Sequence, residues 1–317
     1  MNQEKTTMRD AFIGRIYDRM RSDENIFFLS GDFGAPMLDR LREDFRDRFF
    51  NVGIAEQNLI NVATGMALEG CTVYAYFIAP FIMRAYEQVR INLSMTSAVR
   101  PVNVNMIAVG SGLSYEVSGP THHCLEDIAL MRLLPNVQLF SPSDWHVARQ
   151  FVDYSAVTPG PKYLRFDGKP LPLLGDENRA IDFGCGFRRL AEGTTVCLVA
   201  TGFMSHSAMA ASLKLAQAGI STGVLDLFML KPISEERLAA ALKGYRHIIT
   251  LEEAFVGNGG IDSLINGLAV KGALDAEIHN LGIHDRYVFD IGSRMFLHGH
   301  HQIDPDGLVA FVKTLCG

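Results

Sequence analysis

Glu56 places a carboxylate in a stretch that otherwise predicts apolar burial. Residues 51–62 read NVGIAEQNLINV, and apolar residues continue at helical spacing until Gly70, a natural C-terminal stop. Glu56 therefore falls in the first turn of a predicted helix. A carboxylate there commonly faces solvent and favours the helix dipole, but the apolar neighbourhood weighs against that interpretation.

A second group of reactive side chains follows a Gly-Pro turn in the sequence SGPTHHCLED. Thr121, His122 and His123 lie in a predicted loop, which is the usual location of site residues. An imidazole gains or loses a proton near neutral pH, so His122 is suited to proton transfer. The alternatives are a pair of surface histidines or a metal site, although no third metal ligand is evident nearby.

Two arginines are candidates for binding an anionic substrate. Arg165 lies in YLRFDG at the predicted end of a strand, and a guanidinium can hold a phosphate with two parallel hydrogen bonds. A surface ion pair with Asp167 remains an open alternative. Arg84, in FIMRAYEQ, is a secondary candidate of the same kind.

Strands and helices alternate along the chain and must position these residues. The pattern predicts strands at 26–29, 72–77, 102–109, 137–140 and 162–166, with helices at 7–21, 80–93, 125–134 and 144–157. After a stretch rich in proline and glycine, it predicts strands at 195–200, 222–228, 247–251 and 277–281, with helices at 205–218, 234–242, 259–270 and 305–315. This alternation predicts an α/β fold with two doubly wound parallel-sheet domains, residues 1–175 and a smaller domain at 186–317.

Composition narrows the class of protein. The 317 residues are 48% hydrophobic and 20% charged, which is typical of a globular protein. A net charge of −6 gives no electrostatic reason to expect nucleic acid. The N-terminus is polar and mixed in charge, and no apolar run approaches the roughly 20 residues that span a bilayer, so we expect neither a targeting peptide nor membrane insertion. Five cysteines without paired spacing favour a reducing, cytoplasmic location.

Several motifs in the same order resemble one known family. They are NVGIAEQNLINVATGMALEG, YFIAPFIMRAYEQVR, SGPTHHCLEDIALMRLLPN, LDLFMLKPIS and TLEEAFVGNGG. Together they resemble the transketolase family of thiamine-diphosphate enzymes, in its pyrimidine-binding domain followed by its C-terminal domain. The resemblance covers nearly the whole chain.

The resemblance implies roles for residues near the cofactor. Glu56 would be the acid that holds the aminopyrimidine of thiamine diphosphate, which requires a carboxyl group in a water-poor pocket. Phe81 matches the aromatic residue that packs on that ring. Phe77 and Tyr86 could add to the pocket. The alternative is that all three aromatic residues belong to the core, and we favour the core for Phe77 and a cofactor contact for Phe81.

The resemblance also implies roles near the substrate, with two departures. His122 would meet the substrate near its reacting carbonyl, and Arg165 would hold a sugar phosphate. Ser118 stands where the family usually has an aspartate that contacts a substrate hydroxyl. Gly110 stands where full-length transketolases commonly have a histidine. These two positions affect the choice of substrate and leave the cofactor chemistry unchanged.

The domain that binds the diphosphate and Mg²⁺ in this family has no counterpart in the chain. Gly31-Asp32-Phe33 followed by Asn58 imitates its metal motif, but a phenylalanine in third position would block close approach of the backbone to phosphate. We assign no metal ligand to this chain. A separate N-terminal, diphosphate-binding subunit would supply the Mg²⁺ site, and an α2β2 heterotetramer is the simplest closed assembly.

These expectations lead to a function with alternatives. The leading hypothesis is the C-terminal subunit of a two-component transketolase, which passes a two-carbon ketol unit from a ketose to an aldehyde. A related enzyme that decarboxylates a 2-oxo acid is the second hypothesis, as in deoxyxylulose-phosphate synthase or the β-subunit of a 2-oxo acid dehydrogenase. The third is a non-catalytic scaffold that retains the fold.

Overall fold

Two β-sheets organise the chain, whose computed structural model describes residues 6–316. The larger sheet has seven strands in the order β10-β5-β6-β4-β3-β1-β2. These strands are β1 (Ile26–Ser30), β2 (Phe49–Asn51), β3 (Thr72–Ile78), β4 (Asn103–Val109), β5 (Gln138–Phe140), β6 (Lys162–Phe166) and β10 (Met229–Lys231). The helices of this part are α1 (Met8–Met20), α2 (Pro36–Asp44), α3 (Glu56–Leu68), α4 (Tyr86–Gln88), α5 (Asp127–Leu133) and α6 (Trp145–Val157).

The smaller sheet has five strands in the order β12-β11-β8-β9-β7. They are β7 (Phe187–Ala191), β8 (Val196–Ala200), β9 (Thr222–Leu227), β11 (His247–Phe255) and β12 (Glu277–Ile283). Its helices are α7 (Met204–Gln217), α8 (Glu235–Leu242), α9 (Ile261–Val270), α10 (Arg294–His300) and α11 (Pro305–Cys316). The fold is therefore α/β, as the alternating pattern predicts.

Strand β3 shows why both faces of the larger sheet are covered. Its side chains alternate between two apolar clusters, with Tyr74 and Tyr76 in the cluster that contains α1 and α6. Val73, Ala75 and Phe77 point to the other face, into the cluster that contains α3. Because successive side chains of a strand point to opposite faces, a run that is buried throughout fits a sheet with helices on both sides.

The sheets are not purely parallel, which corrects one detail of the expected fold. Strand β10 pairs antiparallel with β5, and β7 pairs antiparallel with β9. Strand β10 follows the second domain's β9 in sequence but completes the edge of the first domain's sheet. Its pairing with β5 satisfies backbone groups of β5 that would be unpaired if β5 were an exposed edge. The two domains thus share a sheet edge as well as a continuous apolar core.

The segment after β3 departs from the single helix expected at 80–93. It begins as a 3₁₀ helix at Ala79–Ala85, continues through the single turn α4, and ends as a π-helix at Val89–Met95. Irregular helical turns of this kind occur often at functional sites. Within residues 6–316, no helix combines the length and the apolar character needed to cross a membrane.

Candidate active site

Three segments meet at the carboxyl ends of neighbouring strands in the larger sheet. The turn after β2 leads into α3, the 3₁₀ helix Ala79–Ala85 follows β3, and a loop at 110–126 follows β4. Strands β4, β3, β1 and β2 are adjacent and parallel. In open α/β sheets this edge is where ligands bind. It is the edge to which the predicted residues Glu56, Phe81 and His122 belong.

Glu56 is the first residue of α3, and its side chain is buried. Only 3% of the residue is exposed, although carboxylates are rarely buried without a partner. The next turn of α3 sends Leu59 and Ile60 into the core, which fixes the helix and holds its first residue against the protein. The carboxylate accepts a long hydrogen bond from Arg84, with Nη1 3.5 Å from Oε2. Glu56 therefore offers a buried acid, and the exposed Arg84 is its only ionic partner among residues 6–316.

Phe81 and His122 form the aromatic part of the site. Their ring centroids lie 5.4 Å apart and the rings meet edge to face at 67°. Both side chains are half-buried. The hydroxyl of Thr121 is 3.0 Å from Nδ1 of His122, which leaves Nε2 for proton exchange with a ligand. The structure thus brings together two residues that are 41 positions apart in the sequence.

Backbone hydrogen bonds hold the loop that carries His122. Gly112 and Cys124 form a two-way bridge, with N–O distances of 3.0 and 2.9 Å. Nearer the tip, Ser118 donates to the carbonyl of Tyr115 at 2.9 Å, and His122 donates to the carbonyl of Gly119 at 3.0 Å. Ser118 itself is exposed. The loop is therefore a fixed structure that presents His122 and Ser118 at its tip.

The ring of Tyr115 explains why position 110 is a glycine and not the histidine common in full-length transketolases. Gly110 has a φ of +103°, and a Cβ built there would lie 2.1 Å from Cε2 of Tyr115. A Cβ at Gly168 would also approach the same ring, at 2.9 Å. The tyrosine ring thus occupies the space that a side chain at position 110 would need. A histidine could not stand there unless Tyr115 moved, so Tyr115, and not a side chain at position 110, forms this wall of the site.

Phe77 and Tyr86, two further aromatic candidates, are used by the core. Phe77 is 1% exposed and belongs to the apolar cluster beneath the site. Tyr86 packs against the same cluster, and its hydroxyl donates to the carbonyl of Leu130 at 2.9 Å. That bond ties α4 to α5. We therefore propose no cofactor contact for either residue.

Arg165 is buried in an ion pair, which argues against the phosphate-binding role suggested by its position. Its Nε lies 2.9 and 3.1 Å from the two carboxylate oxygens of Asp127. Its Nη2 donates to the carbonyls of Cys124 and Glu253, at 3.2 and 2.9 Å. The alternative of a surface ion pair with Asp167 is also wrong, because Arg165 is only 2% exposed and binds Asp127. Arg165 instead fastens the His122 loop and the second domain to β6.

Sequence reasoning missed a buried ionic network beside this loop. Arg294 donates to both oxygens of Glu253 and to Asp167, and His298 also contacts Glu253. Burial alone would raise the pKa of Glu253, but the charge and hydrogen bonds of Arg294 outweigh it and lower that pKa. A Cβ at Gly112 would collide with Glu253, so the loop rests directly on the network. The sequence signal for this network was a pair of consecutive glutamates, Glu252 and Glu253, inside the otherwise apolar strand β11.

Fold and site together define a two-domain α/β protein with a buried acid and an aromatic pair at the ligand-binding edge of its sheet. A family model described as "Transketolase, pyrimidine binding domain" matches residues 4–172, and one described as "Transketolase, C-terminal domain" matches residues 187–308. The first match alone covers more than half of the chain, and the chain therefore belongs to the transketolase family. Membership of this family implies dependence on thiamine diphosphate, and the resemblance in sequence is confirmed.

Individual relatives include chains of similar length and a longer enzyme. A subunit of the apulose-4-phosphate transketolase of Actinobacillus succinogenes is 34% identical over 283 residues, which is 89% of this chain and 88% of that protein. The 1-deoxy-D-xylulose-5-phosphate synthase 1 of Geobacter sulfurreducens is 33% identical over 280 residues, covering 87% of this chain but 43% of that protein. A solved structure described as "Split gene transketolase, inactive beta4 tetramer" superposes with a TM-score of 0.86 at 29% identity, over 97% of each chain.

Proposed function

We propose that this chain is the C-terminal subunit of a two-component transketolase that moves a two-carbon ketol unit from a ketose phosphate to an aldehyde. The observation that carries the proposal is the burial of Glu56 at the same sheet edge as the contact between Phe81 and His122. Relatives of similar length that are named transketolase subunits support it. A non-catalytic scaffold would have no use for a buried carboxylate at this edge.

The donor set fits the pyrimidine end of thiamine diphosphate. When bound, this cofactor supplies the chemistry that breaks and forms the carbon–carbon bond. The carboxyl of Glu56 would hold a ring nitrogen by a hydrogen bond, protected from water by its burial. Phe81 would pack against the ring. Nε2 of His122 would exchange a proton with a substrate oxygen, and Ser118 and Arg84 lie on the exposed side where a sugar would enter.

A partner subunit would complete the site. Ile54 and Val117, which lie two residues before Glu56 and one residue before Ser118, are 69% and 68% exposed, and covering them with another protein would remove apolar surface from water. We infer an N-terminal, diphosphate-binding subunit that supplies the phosphate contacts and Mg²⁺. The relative named as one subunit of a transketolase and the split-gene structural neighbour support this arrangement.

The second domain offers a further surface for assembly. Between residues 287 and 296, five large apolar side chains are at least 43% exposed: Tyr287, Phe289, Ile291, Met295 and Phe296. Burying such a patch between copies would remove apolar surface from water. The split-gene neighbour is described as a tetramer of its β chain. We propose an α2β2 heterotetramer, because this symmetric assembly leaves no contact surface of either subunit unpaired.

A reconstitution experiment tests the proposal. The chain alone, with thiamine diphosphate and Mg²⁺, should show no ketol transfer and no cofactor binding in calorimetry. Adding the diphosphate-binding subunit should produce transfer from a ketose phosphate, together with cofactor binding at one site per pair of subunits. Ketol transfer by the chain alone would refute the partner requirement, and a reconstituted complex that binds no cofactor would favour the scaffold.

The deoxyxylulose-phosphate synthase relative makes one alternative reaction worth testing. The same complex should be given pyruvate as donor and its products compared with those from a ketose phosphate. We expect ketol transfer without release of carbon dioxide. Decarboxylation of pyruvate at a comparable rate would assign the chain to the alternative reaction.

A cytoplasmic location remains part of the proposal, supported by five cysteines that are all free thiols.

A further inference from the structure

Three metal-ligating side chains meet at the start of two strands in the smaller sheet. His247 is the first residue of β11, and Glu277 and His279 are the first and third residues of β12. The two strands are parallel neighbours in which His247 pairs with Glu277. Since side chains two residues apart share a face of a strand, all three project from the same face of the sheet. None of them belongs to the site described above.

Two of the three distances between the ligand atoms fit a tetrahedral metal ion. Nδ1 of His247 lies 3.4 Å from Nε2 of His279 and 3.3 Å from Oε2 of Glu277. All three ligand atoms lie within 4.8 Å of one another. Zinc bonds nitrogen and oxygen at about 2.0–2.2 Å, which for a tetrahedral centre places neighbouring ligand atoms about 3.3 Å apart. Both distances from Nδ1 of His247 lie within about 0.1 Å of that edge.

One ring nitrogen lies at the centre of this cluster. The same atom, Nδ1 of His247, faces both a carboxylate oxygen and another imidazole nitrogen. If it carries a proton, that single proton must be shared between two acceptors; if it does not, the carboxylate of Glu277 has no donor there. A divalent cation at the centre would satisfy all three atoms at once.

The surroundings hold the ligands in place and leave the cluster open to solvent. The ring of Phe311 packs edge to face on His279, with centroids 5.5 Å apart. His247 is 3% exposed, whereas the side chain of Glu277 is 60% exposed and opens the cluster to solvent. An ion can therefore reach the cluster, and a water can take a fourth position.

We propose that His247, Glu277 and His279 bind one zinc ion with a water as fourth ligand. Two imidazoles and one carboxylate are the ligand types that zinc accepts and that magnesium or calcium do not favour. The site would join the starts of β11 and β12, at the amino ends of strands in the second domain. It is separate from the cofactor edge of the first domain, so it would stabilise the protein without entering the reaction.

Zinc titration of the purified chain tests the proposal. Competition against a chromogenic chelator should reveal one tight equivalent per chain, and zinc should raise the melting temperature. His279→Gln should weaken zinc binding by more than about 100-fold, because losing a residue that only supports a metal ligand already lowers metal affinity about 10- to 100-fold. His300→Gln is the matched control, because His300 faces a single carboxylate, Asp290, at 3.4 Å. This control should bind zinc as the wild type does.

A second variant and a spectroscopic probe keep the result unambiguous. Glu277→Gln changes an exposed side chain, so it should fold normally and still lose affinity. Cobalt in place of zinc should give visible bands of a tetrahedral centre, without the near-ultraviolet charge transfer that a thiolate such as that of Cys316 would cause. Equal zinc binding by the wild type and both variants would overturn the proposal, and a thiolate band that Cys316→Ser removes would assign the ion elsewhere.

Discussion

Arg84 and Glu56 face each other across the candidate site, with Nη1 of the arginine 3.5 Å from Oε2 of the glutamate. The two side chains differ sharply in exposure, at 64% for Arg84 and 4% for Glu56. A long ion pair whose cation is mostly exposed to solvent contributes at most about 1 kcal/mol. Arg84 can therefore turn toward another anion while Glu56 keeps its buried position. Glu56 and Arg84 can therefore have different roles, and substitutions at the two positions should have different effects.

Replacing Glu56 by glutamine should abolish activity while preserving the fold. The amide has the same shape but cannot hold an acidic proton, and losing a positioned acid or base typically costs about 10²- to 10⁴-fold in rate. Steady-state ketol transfer by the reconstituted complex measures the loss. Glu87→Gln alters a carboxylate in the short helix α4, outside the site, and should keep the wild-type rate. A fully active Glu56→Gln enzyme would end the assignment of this residue.

Arg84→Gln should discriminate between phosphorylated and unphosphorylated donors. If the exposed guanidinium binds the substrate phosphate, its loss removes a charged hydrogen bond worth about 1.5–3 kcal/mol, which corresponds to a roughly 10- to 100-fold rise in KM. The KM for an unphosphorylated ketose should stay near its wild-type value. Arg90→Gln, another exposed arginine of the same helical segment, serves as control. Equal effects on both donors would show that Arg84 acts through Glu56 and not through the phosphate.

The sequence predicts most of the fold because the sheets are built from strongly apolar strands separated by amphipathic helices. Strand β6, for example, spans the residues expected from its pattern, 162–166. Strands β2, β7 and β10 were not predicted. Strands β2 and β10 have three residues each, β7 pairs antiparallel with β9, and the conformation of all three depends on a neighbouring strand more than on their own composition. The helix expected at 80–93 has the right position, but tertiary packing divides it into three kinds of helical turn.

The site was predictable where motifs fix it and unpredictable where distant residues meet. Glu56 and His122 stand in motifs, whereas Arg294 reaches Glu253 and Asp167 across separations of 41 and 127 residues. Such contacts leave no periodic trace in a single sequence. The phosphate role expected for Arg165 depended on residue type and position. Its partner Asp127 lies 38 residues away in the sequence, so only the folded chain shows that the guanidinium is occupied.

Arg165→Met should destabilise the protein strongly. The variant leaves Asp127 fully buried without its cation, and breaking a buried ion pair in this way costs about 3–5 kcal/mol. The midpoint of urea unfolding, followed by circular dichroism, measures the loss. Adding Asp127→Asn to the same chain removes the unpaired charge and should restore part of the stability. A variant with unchanged stability and a raised KM for sugar phosphates would instead assign Arg165 to the substrate.

His301 should make the protein sensitive to mild acid. Burial, together with electrostatic repulsion from the nearby His284, Arg286, His298 and His300, lowers its pKa to about 4. An ordinary unfolded histidine has a pKa near 6.5, so between pH 6.5 and about 4 the unfolded state binds a proton that the folded state does not. Stability is therefore fully present above pH 6.5 and is lost as the pH falls through that window.

Thermal melts at half-unit steps of pH measure this effect on the melting temperature. His301→Gln cannot take up the proton, so its melting temperature should fall less between pH 6.5 and pH 4 than that of the wild type. Comparing slopes removes any constant packing cost of the substitution. Identical slopes for the wild type and His301→Gln would show that the acid sensitivity arises from other groups.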